Sequence, residues 1–128
     1  VVDDSYNANP DSMRASLSTF SAMVVSGKRI AVLGDMGELG SFAPECHARV
    51  GSYAAHCSLD LLVCVGDLSV DIAAGAKAAG MPADKIVHVD DIEAALAYVA
   101  PRANPGDAVL VKASNFMEFS RIVKGLVG

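Results

Sequence analysis

An α/β fold, with a Rossmann-like, doubly wound and mostly parallel sheet carrying helices on both faces, is predicted by three features of this sequence. Short apolar blocks alternate with longer segments of helical period. The block interiors, Ile30-Ala31-Val32-Leu33, Leu61-Leu62-Val63-Cys64-Val65 and Ala108-Val109-Leu110-Val111, are apolar at every position. That is the pattern of parallel strands buried on both sides, whereas a strand with one wet face would alternate. The chain of 128 residues, 52% hydrophobic and 20% charged, has the size and balance of one folded domain over residues 1–128.

The strands are expected at Val1 to Asp4, Ile30 to Gly34, Leu61 to Gly66, Ile86 to Val89 and Ala108 to Lys112. In the first helix Asn9 is placed as N-cap and Pro10 at the first turn, where its missing N–H costs nothing. Met13, Leu17, Phe20 and Val24 make its apolar stripe, and Gly27 stops it. The second helix starts near Ser41 to Pro44 and is expected to bury Cys46, Val50, Tyr53 and Cys57. The third runs from Leu68 to Ala79 before Gly80. Asp90 or Asp91 caps the fourth, which turns Ile92, Leu96 and Val99 inward and has Pro101 near its end. A fifth is expected from about Ser114, using Phe116, Phe119, Ile122, Val123 and Leu126. Repeated βα units of this kind wind with right-handed crossovers.

Ten basic against fifteen acidic side chains leave a net charge of −5, with Lys and Arg scattered, which argues against a nucleic-acid partner or a polybasic membrane surface. No apolar run approaches the roughly 20 residues of a bilayer span. Cys46, Cys57 and Cys64 are odd in number and lack paired spacing, as expected for reduced thiols in a cytoplasmic setting. The opening Val-Val-Asp-Asp-Ser has no initiator Met and no targeting pattern, and reads as the end of a strand in a piece of a longer protein.

In open parallel sheets ligands bind beyond the carboxyl ends of the strands. The residues there are polar: Asp3 to Asn7, Gly34 to Glu38, Gly66-Asp67, Asp90-Asp91 and Lys112 to Asn115. Gly66-Asp67 and Asp90-Asp91 are accounted for by turn and capping chemistry. The other three are denser in polar groups than capping requires, and Asp35 to Phe42 is long for a strand-to-helix connection. Gly34, Gly37 and Gly40 do not have dinucleotide-loop spacing, and Asp35 and Glu38 would repel a pyrophosphate. There is no Gly-x-x-x-x-Gly-Lys-Ser/Thr loop, so the chain cannot cradle ATP phosphates in that manner. Cys46-His47 and His56-Cys57 lack zinc spacing, because neighbours on a helix point about 100° apart, and are read as buried thiols beside surface histidines.

Asp3-Asp4-Ser5-Tyr6-Asn7-Ala8-Asn9-Pro10-Asp11-Ser12-Met13, Ile30 to Gly40 with its Leu-Gly-Asp-Met-Gly-Glu-Leu-Gly string, His47 with Val50-Gly51, and Val109 to Asn115 resemble the C-terminal domain of the Mur ligases. The resemblance runs the length of the chain and is strongest to members that add D-alanyl-D-alanine to UDP-N-acetylmuramoyl-tripeptide in peptidoglycan synthesis. Ala113 departs from the Lys-Gly-Ser of the closing motif by a methyl group.

The resemblance implies a cytoplasmic three-domain enzyme whose N-terminal domain holds the uridine nucleotide. A central P-loop domain, outside this chain, binds most of the ATP and Mg, and the C-terminal domain swings over the site. ATP phosphorylates the peptide carboxylate and the dipeptide amine attacks the acyl phosphate. Asp4, Tyr6, Asn7 and Asn9 are implied at the nucleotide, with Asp4 on the ribose hydroxyls. For the incoming dipeptide the loops offer Asp35, Glu38, Lys112, Ser114, Asn115 and Phe116, with no catalytic residue and no metal ligand in this chain. The fragment alone is then inactive. The alternative is an autonomous flavodoxin-like or receiver-like binding module, to which Asp35 as phosphoacceptor and Lys112 give a superficial match.

Overall fold

The computed structural model describes residues 2–3, 10–37 and 39–112, with the backbone alone at residues 2, 3 and 92. The helix expected from Ser114 lies outside them. Five strands, β1 (Val2–Asp3), β2 (Arg29–Gly34), β3 (Leu61–Val65), β4 (Ile86–Val89) and β5 (Ala108–Lys112), form one sheet in the order β1-β5-β2-β3-β4. All the pairings are parallel, with Asp3 beside Val111, Leu33 beside Lys112 and Leu33 beside Cys64. The helices are α1 (Pro10–Ala22), α2 (Ala43–Ala54), α3 (Val70–Ala78) and α4 (Ile92–Val99).

The pleat divides the strands between two cores. Ala31, Leu33, Leu62, Cys64 and Leu110 pack with Met13, Leu17 and Phe20 of α1, Val50 and Ala54 of α2, and Ile72 and Ala76 of α3. Ile30, Val32, Val63, Val65, Val109 and Val111 pack with Ala95 and Val99 of α4. Helices α1 to α3 therefore cover one face while the sheet grows from β1 towards β4. Helix α4 covers the other as the chain returns to insert β5 between β1 and β2. Right-handed crossovers produce this arrangement, and it makes the fold doubly wound.

The helices α2 and α3 touch backbone to backbone. A Cβ on Gly51 would stand 1.9 Å from the Ile72 carbonyl oxygen, and one on Gly75 would stand 2.1 Å from that of Ala48. At the amino ends of the strands Asp107 ties two connections together, accepting from Lys28 N–H (2.8 Å) and Asn104 N–H (3.0 Å). Those two backbone donors hold its carboxyl below the usual range.

Several expected boundaries and faces shift. Helix α1 ends at Ala22, where the Arg29 guanidinium takes the Met23 carbonyl, so Val24 is fully exposed and no part of the stripe. Leu68 precedes α3 and is partly exposed. Asp91, not Asp90, caps α4 by accepting from Ala94 N–H at 2.8 Å, and Ala95, not Leu96, is the fully buried residue beside Val99. On α2 the buried face is Ala43, His47, Val50, Gly51 and Ala54, with Cys46 and Tyr53 only half-buried.

Candidate functional site

At the carboxyl end of the sheet, β2 and β5 lie side by side, and the register of Leu33 with Lys112 brings the end of β5 next to the start of the long loop from β2 to α2. Lys112 has the pleat parity of Leu110, on the α1–α3 face, and is 2% exposed, so it is not the solvated strand-end lysine that its position invites. Burying a lysine needs compensating contacts, which makes Lys112 a specific element of this edge.

Asp35 opens the loop and is nearly buried. Its Oδ1 accepts from both the backbone N–H of Ser69 (2.8 Å) and the Ser69 hydroxyl (2.7 Å). Ser69 is the N-cap residue of α3, where backbone donors lack intrahelical acceptors. Asp35 thus caps α3 from a different strand, and its negative charge suits a helix N-terminus. Gly66 allows the approach: its φ is +108°, and a Cβ there would lie 2.6 Å from Asp35 Oδ2. The Gly66 carbonyl in turn accepts from His88 Nε2 at 2.7 Å, and Gly66 N–H donates to the Val89 carbonyl at 3.0 Å.

The next loop residue is held from the other side. His47 is fully buried, contrary to the expectation of a surface histidine. Its Nδ1 lies 2.6 Å from the Ala43 carbonyl, one turn earlier in α2, and its Nε2 accepts from Met36 N–H at 2.9 Å. A carbonyl only accepts and a backbone amide only donates, so the ring is the neutral tautomer with hydrogen on Nδ1. Asp35 and Met36 are therefore fastened to α3 and α2 respectively. The loop then turns through Gly40–Phe42 into α2, with Pro44 in the first turn of the helix.

Of the expected site residues, Asp35 and Lys112 are brought to one edge. Asp4, Tyr6, Asn7, Asn9, Glu38, Ser114, Asn115 and Phe116, with Ala113, lie outside the described residues. The flanking positions are Asp3, paired with Val111, and Pro10, which starts α1. Sequence reasoning passed over Ser69 and assigned Gly66 to an ordinary turn. The receiver-like alternative is disfavoured, since a phosphoacceptor needs an accessible carboxylate and Asp35 is engaged by Ser69.

Among the described residues no group of three or more His, Cys, Asp or Glu could hold a metal ion, and no helix is long and apolar enough to cross a membrane. The three cysteines are free, and burial pushes the Cys64 thiol up to about 12. A groove between α1 and α2, lined by Asp11, Arg14, Ala15, Ser18 and Tyr53, includes none of the candidate residues.

Residues 1–115 match the family model described as "Mur ligase, glutamate ligase domain". The UDP-N-acetylmuramoyl-tripeptide–D-alanyl-D-alanine ligase of Mycobacterium tuberculosis is 38% identical over 144 aligned positions, which take in 99% of this chain and 28% of the relative. Among solved structures, MurF from Acinetobacter baumannii superposes with a TM-score of 0.82 at 28% identity, over 95% of this chain and 26% of that one. MurF ligase from Thermotoga maritima, solved in complex with ADP, gives 0.75 at 27% identity, again over 95% of this chain and 26% of the other. The chain thus spans little more than a quarter of the length of these relatives. The motifs, the doubly wound parallel sheet and the family match agree: the chain belongs to the Mur ligase family.

Proposed function

We propose that residues 1–128 are the C-terminal domain of a cytoplasmic, ATP-dependent ligase that joins D-alanyl-D-alanine to UDP-N-acetylmuramoyl-tripeptide in peptidoglycan synthesis. The observation that carries this reading is the match of 99% of the chain to a relative bearing that activity in its name. Support from geometry comes from the carboxyl edge, where a buried lysine adjoins a long loop fastened at its first two residues.

Nucleotide and magnesium are assigned mainly to the central domain. The described residues contain no metal-ligand cluster, and the chain contains no phosphate-cradling Gly-Lys-Ser/Thr loop. Bound there, ATP supplies activation of the tripeptide carboxylate. This chain contributes an edge to that site: the Asp4 carboxylate can accept from two ribose hydroxyls, and Tyr6, Asn7 and Asn9 follow it in the same segment. On the other strand end Lys112, with Ser114 and Asn115, offers donors to the free carboxylate of the dipeptide. Asp35 and Glu38 offer acceptors to its ammonium, and Phe116 offers an apolar wall to a methyl group. Closing this domain over the other two brings the amine to the activated carboxyl and keeps water from it.

The test uses the full-length parent protein with ATP, Mg, UDP-N-acetylmuramoyl-tripeptide and D-alanyl-D-alanine. Amide product with stoichiometric phosphate is expected, and residues 1–128 alone should release no phosphate above the blank. Failure of the full-length protein to use the dipeptide, or sustained turnover by the fragment, would overturn the reading.

A further inference from the structure

We propose that His47 is a positioning residue for the dipeptide side of the site, acting as a two-ended strut that sets the loop after β2. The inference rests on the ligase reading above, and on three observations about the ring. It is fully buried on a helix face otherwise made of Ala43, Val50, Gly51 and Ala54. Both its nitrogens are used on backbone groups, Nδ1 on the Ala43 carbonyl and Nε2 on Met36 N–H. Those two groups bracket the loop: Met36 stands at its start and Ala43 opens the helix at its end.

The two bonds of the ring reach different parts of the fold. One nitrogen bonds within its own helix, and the other reaches a loop amide eleven residues back in the chain, directly after Asp35. With Asp35 held by Ser69, the strut fixes the direction in which the chain leaves Met36 for Gly37. Loosening Met36 would let that segment wander relative to Lys112, whose strand is in register with β2. The loss should fall on capture of the dipeptide and leave the nucleotide almost unaffected, because the segment implied at the nucleotide follows β1.

The experiment is steady-state kinetics of the full-length ligase with three variants. Gln at 47 places an amide oxygen three bonds from Cβ, as Nε2 is, and keeps the acceptor for Met36 N–H. Asn reaches only as far as Nδ1 and keeps the bond to Ala43. His47→Asn and His47→Ala should raise KM for D-alanyl-D-alanine by about tenfold, the size of one buried hydrogen bond, with KM for ATP within about twofold. His47→Gln should stay within about threefold of the wild type for both. Folded Asn or Ala variants with the wild-type dipeptide KM, or a Gln variant as impaired as Asn, would overturn the proposal. If the Asn and Ala variants do not fold, amide hydrogen exchange of Met36 in the wild-type full-length enzyme decides: protection supports the strut, and exchange at the rate of an exposed loop refutes it. A wild-type enzyme that ignores the dipeptide refutes the ligase reading, and the exchange measurement still tests the strut.

Discussion

Replacing Asp35 by alanine removes the acceptor of two hydrogen bonds, from Ser69 N–H at 2.8 Å and from its hydroxyl at 2.7 Å. Bonds to a charged acceptor contribute roughly 1.5–3 kcal/mol each, so the pair sets a ceiling of roughly 3–6 kcal/mol. Part of this is recovered, because Ser69 N–H also donates to the Gly66 carbonyl at 3.2 Å and water can enter beside Asp35, which is 8% exposed. The expected destabilisation is about 3 kcal/mol. Asp35→Asn keeps an acceptor oxygen and loses the charge, which roughly halves each bond, for a cost of about 1.5 kcal/mol. Ser69→Ala loses only the hydroxyl bond, also about 1.5 kcal/mol, and the Asp35→Ala/Ser69→Ala pair should show a coupling of similar size.

Urea unfolding of each variant, compared by midpoint at constant slope, measures these terms. Asp35→Ala within about 0.5 kcal/mol of the wild type, or additive single and double variants, would refute the capping role. The asparagine variant then separates architecture from substrate contact. If Asp35 also meets the dipeptide ammonium, Asp35→Asn in the full-length ligase raises the dipeptide KM well beyond the change seen with Ser69→Ala, which weakens the same cap without altering the charge.

Lys112→Met in the full-length ligase keeps the stem and removes the charge; kcat/KM for D-alanyl-D-alanine should fall by about a hundredfold or more with little change in KM for ATP, whereas wild-type dipeptide kinetics would reduce Lys112 to a structural lysine. Asp4→Ala should do the reverse, raising KM for ATP with the fold intact, and unchanged ATP kinetics would remove it from the nucleotide edge. Gly51→Ala forces a methyl against the Ile72 carbonyl and should cost about 3 kcal/mol or more, read by thermal or urea unfolding, with a small cost showing that α2 and α3 can part. The Cys64 thiol is raised from an ordinary 9.0 to about 12, so between those values the unfolded chain ionises and the folded one does not. Cys64 should make stability fall as pH rises through that window by up to about 1.4 kcal/mol per pH unit, and Cys64→Ala should remove that share while leaving the part due to Cys57, whose thiol burial also raises.

The strands were legible because burial on both faces leaves an unbroken apolar block, and β2 and β5 fall where the blocks are. Their spatial order was not, because nothing local to Ala108–Lys112 records that it inserts between β1 and β2. The α2 face was misjudged for a specific reason. Its inward positions include a histidine and a glycine, so Cys46 and Tyr53 offer a more hydrophobic stripe beside the true one, while Cys57 is buried as expected but beyond the end of the helix at Ala54. Val24 looked like a continuation of the α1 stripe only while the helix was taken past Ala22. Asp35 and Lys112 lie at the carboxyl edge expected from their places at the ends of strands, but a carboxylate that caps a distant helix and one that meets a ligand look the same in sequence. Ser69 and Gly66, which distinguish the two, are thirty-four and thirty-one residues further along.

Several polar groups at the carboxyl edge are engaged by the fold itself. Asp91 is taken by Ala94 N–H, His88 by the Gly66 carbonyl, His47 by two backbone groups, and Asp35 Oδ1 by Ser69. These contacts turn flexible strand-to-helix connections into fixed ones before any ligand arrives. Under the proposed function, a domain that closes over a reactive acyl group benefits from that, because conformational freedom lost during closure would subtract from binding and from orientation of the amine. Asp35 and Lys112 are thus both buried parts of the fold at this edge and, in the proposed function, the groups offered to the dipeptide. Substitutions at Asp35 and His47 should lower stability and dipeptide capture together, and Lys112→Met should lower dipeptide use.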